Sequence, residues 1–298
     1  MDKISVIILN YNDYTTTLSL VEEIKDYDCL DSIVVVDNHS TDGSWEHLRL
    51  LDGNGKLHAL RMDSNGGYGM GNQEGINYAT EYLGADYIII ANPDIHVTPH
   101  CIRRVKEALD HTQDAVAASA RVKDPEGREL FSYWTLLPLW KDLLDTGLVT
   151  RRLFKGMLNT PVYRLPGGGD GECRLVDAVP GSFFMLRTGL LTPGDIKKIF
   201  DKSIFLYYEE KVLGQKFRRD GLKTVLVVDD SYIHAHSVSI DKSLKRIVDK
   251  QRLLHESKLY YYKEYLGAGP AAMAAARAAL GFILAEVWFL TVVCRMRW

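Results

Sequence analysis

Ile4-Ser-Val-Ile-Ile-Leu9 and, one helix-length later, Ser32-Ile-Val-Val-Val-Asp37 are short β-branched runs that each stop at a polar loop. Runs of this kind read as strands buried in a parallel sheet and covered on both faces. Between them Thr15–Lys25 carries Leu18, Val21 and Ile24 at helical spacing, so the chain opens as a β-α-β unit. The alternation continues with a helix over Ser44–Leu51, a strand over Lys56–Arg61, a helix over Gly71–Tyr82 and the strand Tyr87-Ile-Ile-Ile-Ala91. Residues 98–110 are expected as helix and Asp114–Ala120 as strand. The pattern predicts an α/β fold, an open and mostly parallel sheet with ligands at the carboxyl ends of its strands.

From about residue 121 the rhythm changes. Residues 124–175 hold aromatics, basic residues and Pro166-Gly-Gly-Gly-Asp170 with no clean period. Two readings stand for this excursion, an acceptor-side loop or lid and a surface insertion without catalytic duty. Order returns over Val176–Leu186, with helix expected over Lys211–Asp220, strand over Thr224–Val228 and a basic helix over about Asp241–Tyr265. Gly267-Ala-Gly-Pro270 breaks it before a terminal apolar helix, Ala271–Val293. The expected division is a catalytic domain over residues 1–240, in halves 1–120 and 121–240, and a helical region over 241–298.

A length of 298 residues, 46% hydrophobic and 25% charged, describes a folded protein with one large core or a core and an appendage. A net charge of −3 argues against general nucleic-acid binding. Cys29, Cys101, Cys173 and Cys294 show no CxxC spacing, which suggests neither zinc nor a disulfide framework and fits a reduced cytoplasm. The N-terminus lacks signal-peptide organisation. Residues 241–263 are locally basic, as a solvated face or as a surface for anionic lipid or a phosphorylated acceptor. Arg277 and Glu286 interrupt the terminal apolar stretch. It reads as an interfacial helix, a dimer-forming helix or a helix packed on the body.

The polar loops carry the chemistry. Asn10-Tyr-Asn12 and Asp37-Asn-His-Ser-Thr-Asp-Gly43 follow adjacent strands, where they meet around a nucleotide. Asp37 suits the N3 proton of a uracil or thymine ring, and Tyr11 can stack on it. Asn65-Gly-Gly-Tyr-Gly-Met-Gly-Asn72 fails the dinucleotide fingerprint on spacing and the P-loop on its ending. It reads as a loop lining a sugar-nucleotide pocket, with Asn65 and Asn72 as contacts, or as a conformational glycine turn. Asn92-Pro-Asp94 ends the most apolar strand, where Asp94 can hold Mg2+ or Mn2+ against a diphosphate. Glu209-Glu210 in the aromatic stretch Phe205-Leu-Tyr-Tyr208 offers a base with a raised pKa, and equally the acids of a helix N-terminus. His234 and His236 stand after a strand as candidate imidazole ligands.

Taken together these segments resemble glycosyltransferase family 2, in its rhamnosyltransferase-like branch of bacterial polysaccharide synthesis. The resemblance runs over about residues 3–265, through Val6–Asn12, Val34–Gly43, Asn65–Asn72, Asn92-Pro-Asp94, Val179–Arg187, Phe200-Asp201, Glu209-Glu210 and His234–Ser239. It implies a GT-A fold, a nucleoside-diphosphate sugar donor (dTDP or UDP, rhamnose first), a divalent cation and inversion at the anomeric carbon. By position Asn92 replaces the first acid of the family's DxD motif, and Asp94 is the metal-side carboxylate. Glu210 sits where the catalytic aspartate usually stands and Glu209 where its preceding glutamate does. His234 matches the metal or diphosphate histidine, Asp37 the base-recognising aspartate, and Gly181-Ser182 the turn flanking the acceptor cleft.

One departure concerns Glu209-Glu-Lys-Val212, where the usual Glu-Asp-x-Asp has lost its second aspartate and its base is a methylene longer. It keeps alive a second reading, an inactive sugar-nucleotide-binding scaffold of an assembly complex. The acceptor is expected to be a saccharide or a lipid-linked sugar at the inner membrane face, with peripheral membrane contact and a homodimer as further expectations.

Overall fold

The structure, a computed structural model, describes residues 2–158, 172–235 and 247–294. Among these, nine strands make one sheet: β1 Ile4–Asn10, β2 Ser32–Asp37, β3 Leu57–Arg61, β4 Tyr87–Ala91, β5 Ile95–His96, β6 Ala115–Lys123, β7 Cys173–Val176, β8 Phe183–Arg187 and β9 Lys223–His234. Helices α1 Tyr14–Ile24, α2 Ser44–Leu48, α3 Gly67–Tyr78 and α4 Pro99–His111 connect the first strands. Among the described residues the excursion after β6 holds three short helices, α5 Leu139–Thr146, α6 Leu148–Leu153 and α7 Lys155–Leu158. Helices α8 Pro193–Ile196, α9 Glu209–Arg219, α10 Ile247–Glu264 and α11 Pro270–Trp288 complete the chain. The glycine tract Pro166–Asp170 and His236 lie outside the described residues.

The strand order is β3-β2-β1-β4-β8-β6-β9-β5, with β7 also on β9. The first four strands are parallel, as the β-α-β rhythm requires. Antiparallel β8 then enters between β4 and β6, so the second half of the sheet is mixed. Both faces are covered, which is why β2 and β4 are buried at every position. One core layer joins Ile8, Val35 and Ile89 to α1 and α4, and the other joins Ile7, Val34 and Ile90 to α3 and α9. Each such side chain contributes about 1.5–3 kcal/mol on leaving water.

A third apolar cluster lies away from the sheet, where Ile204, Tyr208 and Val212 meet Tyr261 and Tyr262 of α10 and Met273, Leu280 and Ile283 of α11. At its centre Asp142 of α5 is 1% exposed. Its carboxylate accepts from Tyr208 Oη at 2.5 Å, Tyr262 Oη at 2.7 Å, Lys258 Nζ at 2.9 Å and Lys211 Nζ. Lys258 also donates to Thr146 Oγ1. The Asp142 carboxylate thus binds α5, the start of α9 and α10 through one charge. Burial pushes the Lys258 ammonium down to about 8, against the pull of Asp142. Burial works to raise the Asp142 carboxyl, but the two ammonium groups outweigh it and hold the acid below its usual range.

Asp142→Asn leaves two ammonium groups buried without a counter-ion, and is expected to cost about 3–5 kcal/mol in urea unfolding. Lys258→Met in the same chain should restore part of that loss. Because the folded Asp142 pKa lies below the unfolded one, its stabilisation is complete above the ordinary aspartate pKa and lost as pH falls below it. The Asp142→Asn chain should therefore lack that part of the wild-type acid dependence, measured by unfolding midpoints across acidic pH.

Candidate active site

The parallel strands end at one edge of the sheet, and their last residues are in register, Asn10 opposite Asp37 and Asp37 opposite Arg61. Asp37 is fully buried and organises the loops that follow. Its carboxylate accepts from Asn10 Nδ2 at 3.0 Å and from the Ser40 amide at 3.2 Å, and lies 3.7 Å from Arg61 Nε. Asn10 Oδ1 takes a hydrogen bond from Thr17 Oγ1 at 2.8 Å, and Asn12 Oδ1 one from the Thr41 amide at 2.8 Å. Tyr11 sits half-buried between these anchors. The two loops do meet, as their matching positions after adjacent strands predict. Arg61 escaped sequence reading because a strand-terminal arginine has no motif of its own; its guanidinium lies 5.7 Å from the Trp45 ring centroid.

The glycine-rich segment differs from the expected loop. Gly67–Tyr78 is helix α3, begun four residues before the predicted start. A Cβ on Gly71 would run into Leu9, and one on Gly75 into Ile7, so these glycines let α3 lie close against β1. Gly67 has φ +82° and faces the Phe205 carbonyl, which accepts from the Tyr68 amide at 3.0 Å. Asn65 Oδ1 accepts from Asn38 Nδ2 at 3.0 Å and from the Gly67 amide at 2.9 Å, tying the β2 loop to this turn. Asn72 is only 1% exposed, its Nδ2 donating to the Tyr68 carbonyl at 3.0 Å, so its side chain packs inside the helix rather than lining an open loop.

At the end of β4 the half-buried Asn92 donates its amide to the Ser182 carbonyl at 2.8 Å. Ser182 Oγ in turn pairs with Tyr232 Oη at 2.7 Å, on β9. That strand was expected to stop at Val228 but passes an irregularity and runs on to His234. Its last residues pair with β5, Ile95 opposite His234, which brings His234 Nε2 to 3.2 Å from Asp94 Oδ1. Both side chains are buried, at 8% and 7% exposure. A carboxylate and an imidazole that converge in this way suit a divalent cation that takes its remaining ligands from a diphosphate and water. Among the described residues no set of three metal-ligating side chains gathers.

The two glutamates open α9 after consecutive left-handed residues, Tyr207 at φ 71° and Tyr208 at φ 74°. Such a turn is strained for non-glycine residues. Tyr208 is held in it by Asp142. Glu209 turns inward: it is 6% exposed, and its Oε1 has no hydrogen-bond partner among the described residues. Burial first, then the adjacent Glu210 charge, push its carboxyl well above the usual range. Glu210 is half-buried, and its Oε1 accepts from the Gly181 amide at 3.3 Å. Burial raises its pKa too, opposed by its own amide, the Gly181 amide and the Lys211 charge.

Gly181 also offers its carbonyl to Tyr68 Oη at 2.6 Å. A Cβ there would stand 3.0 Å from that hydroxyl and 3.2 Å from Glu210 Oε1, so a larger residue would have to push one of these side chains aside. Tyr68 was hidden among the glycines that surround it in sequence. Val212, which replaces the family's second aspartate, is 1% exposed in the third apolar cluster. The substitution therefore fills core beneath α9.

The glycosyl transferase family 2 model matches residues 5–162, more than half the chain. A low-salt glycan biosynthesis hexosyltransferase, Agl10 of Haloferax volcanii, is 26% identical over 222 residues, 74% of this chain and 64% of that protein. The chain thus spans less than two thirds of that relative. An N-acetylglucosaminyl-diphospho-decaprenol L-rhamnosyltransferase of Mycobacterium tuberculosis is 27% identical over 232 residues, 70% of this chain and 69% of that one. Among solved structures, the mannosyltransferase PcManGT from Pyrobaculum calidifontis, in complex with GDP-Man and Mn2+, superposes with a TM-score of 0.58 at 14% identity, over 97% of this chain and 80% of its own. S. aureus TarS 1-349 in complex with UDP gives 0.51 at 17% identity, over 97% and 71%. At these identities the structures speak for the fold alone, and it is the GT-A fold. Strand-end loops, glycine-backed helix and matched family model lead to one conclusion: the chain belongs to glycosyltransferase family 2.

Proposed function

We propose that this glycosyltransferase moves a hexose, with dTDP-rhamnose as the first donor to test, onto a lipid-linked or saccharide acceptor with inversion at the anomeric carbon. The observation that carries the reading is the division between the two glutamates. Glu209 is sealed in the interior, whereas Glu210 is half-buried and accepts a hydrogen bond from the Gly181 amide. Glu210 is then the base. The acceptor hydroxyl loses its proton to Glu210 as its oxygen attacks the anomeric carbon, and the bond to the diphosphate breaks on the opposite face with its electron pair. Gly181 and Ser182 border the acceptor side.

Asn10, Tyr11, Asp37, Asn65 and Asn92 flank the donor, Tyr11 providing a face for the base and Asp37 fixing the loop beneath it. Asp94 and His234 are the residues that would hold Mg2+ or Mn2+, which offsets negative charge on the leaving diphosphate. The named substrates of relatives support this choice: one relative is called a rhamnosyltransferase acting on a decaprenol-linked sugar, and neighbours were solved with UDP or with GDP-Man and Mn2+. Val212 lies in the third apolar cluster, so the reading rests on Glu210 as the one carboxylate available for the base.

Glu210→Gln should lower kcat by about 10²–10⁴ with little change in thermal midpoint. A base must be ionised to act, and the Glu210 pKa is raised from 4.5. The wild-type rate should therefore rise with pH along an acid limb lying above that value, read from kcat/KM against pH. Turnover unchanged in Glu210→Gln would remove the assignment. Thermal stabilisation by nucleotide sugars should require Mg2+ or Mn2+ and vanish with EDTA. Asp94→Asn and His234→Ala should each abolish the metal-dependent part of that shift while leaving the fold intact by circular dichroism.

A further inference from the structure

The sugar-transfer reading leaves one surface unused. Of the fourteen large apolar side chains exposed among the described residues, ten fall in two segments, 140–157 and 282–293. In the second, Phe282 is 80% exposed, and Trp288, Phe289 and Val292 are about half exposed. In the first, Leu153 is 73% exposed, with Val149, Phe154 and Met157 beside it. These segments are neighbours. The inner face of α11 buries Met273, Ala276, Leu280, Ile283 and Val287 in the third cluster, together with Leu139 and Leu143 of α5. A Cβ on Gly147, where α6 begins, would stand 3.4 Å from Ile283 Cγ1. The outer side of α11 and the ridge of α6 and α7 therefore lie side by side.

Charge distinguishes what this surface can meet. The chain carries −3 overall, yet Lys141, Arg151 and Arg152 on α5 and α6 face solvent against only Asp145, since Asp142 is buried among its lysines. A second copy docking here about a two-fold axis would bring Arg151 and Arg152 toward their own equivalents, and interface cores are depleted of charge. An anionic lipid headgroup layer answers both features, accepting the cations at its surface and the apolar groups beneath. Pro270–Val293 is long and apolar enough by length and composition to cross a bilayer. Its inner stripe, however, is already committed to α5 and α10, which leaves one side for lipid and favours lying flat.

We propose that the outer side of α11 and the α6–α7 ridge form one docking face for an anionic lipid bilayer. The face rests on the sugar-transfer reading for its purpose and deepens it toward the lipid-linked acceptor. Asp142 of α5 holds Tyr208 and Lys211, the residues on either side of Glu209-Glu210, so the docked ridge stands one helix away from the base. An acceptor sugar on a lipid carrier would then enter from the membrane side of the cleft.

Vesicle flotation of the full chain tests this without relying on transfer. The chain should float with mixed phosphatidylglycerol and phosphatidylcholine vesicles roughly tenfold more than with phosphatidylcholine alone. Phe282→Glu with Phe289→Glu, and separately Leu153→Glu, should abolish flotation while transfer to a soluble saccharide acceptor persists. No flotation of the wild-type chain, or flotation unchanged in these variants, would overturn the docking face. So would a solution dimer that the same substitutions dissociate, because a second copy would then cover it. Flotation as expected without transfer to any acceptor would overturn the sugar-transfer reading and leave the face standing.

Discussion

Asp142 gathers two ammonium groups and two tyrosine hydroxyls from α9, α10 and the residue before α9, inside a cluster that water does not reach. Burying three charges is costly unless each is compensated, and here one carboxylate compensates two cations. The arrangement has no slack. Moving α5, α10 or the start of α9 separately would strip a charge of its partner, so the three move together or not at all. Helix α5, from a stretch irregular in sequence, is thereby tied to α9 and α10. The unusual left-handed pair Tyr207-Tyr208 persists because its second member is one of the donors to that carboxylate.

The first part of the chain, through β6, was legible in the sequence because it obeys local rules. Runs such as Tyr87–Ala91 are strands wherever they are placed, and Thr15–Lys25 has only one apolar face to offer. The site residues on strand ends followed from topology, and Asn10 beside Asp37 is a consequence of parallel register. The part after β6 resisted reading for a different reason. Helices α5 to α7 are four to eight residues long, too short for periodicity, and are stabilised by contacts more than a hundred residues away. Antiparallel β8 also has no sequence signature apart from its apolar run, because its partners β4 and β6 are remote in the chain.

The glycine-rich segment shows how one pattern can serve two physical ends. Glycines before a helix suggest a backbone that approaches a ligand, and Gly67 does adopt a conformation that other residues avoid. Gly71 and Gly75 instead face Leu9 and Ile7, where the absence of a side chain lets a helix settle on the sheet. The two uses are indistinguishable without knowing where helix α3 begins. Likewise, adjacent glutamates in an aromatic setting announced perturbed acidity, but only the geometry of α9 separates a carboxyl sealed in the interior from one that meets Gly181.

The long strand β9 carries Tyr232, which holds Ser182, and His234, which meets Asp94. Two residues apart on an extended strand, they point to the same side, and Ile233 between them points away. A single-residue insertion or deletion between the irregularity near Ser231 and Tyr232 would turn both outward together. The Gly181-Ser182 turn and the carboxylate–imidazole pair thus depend on one register: a change in chain length is tolerated in the loops around them, but not just before Tyr232 without losing both.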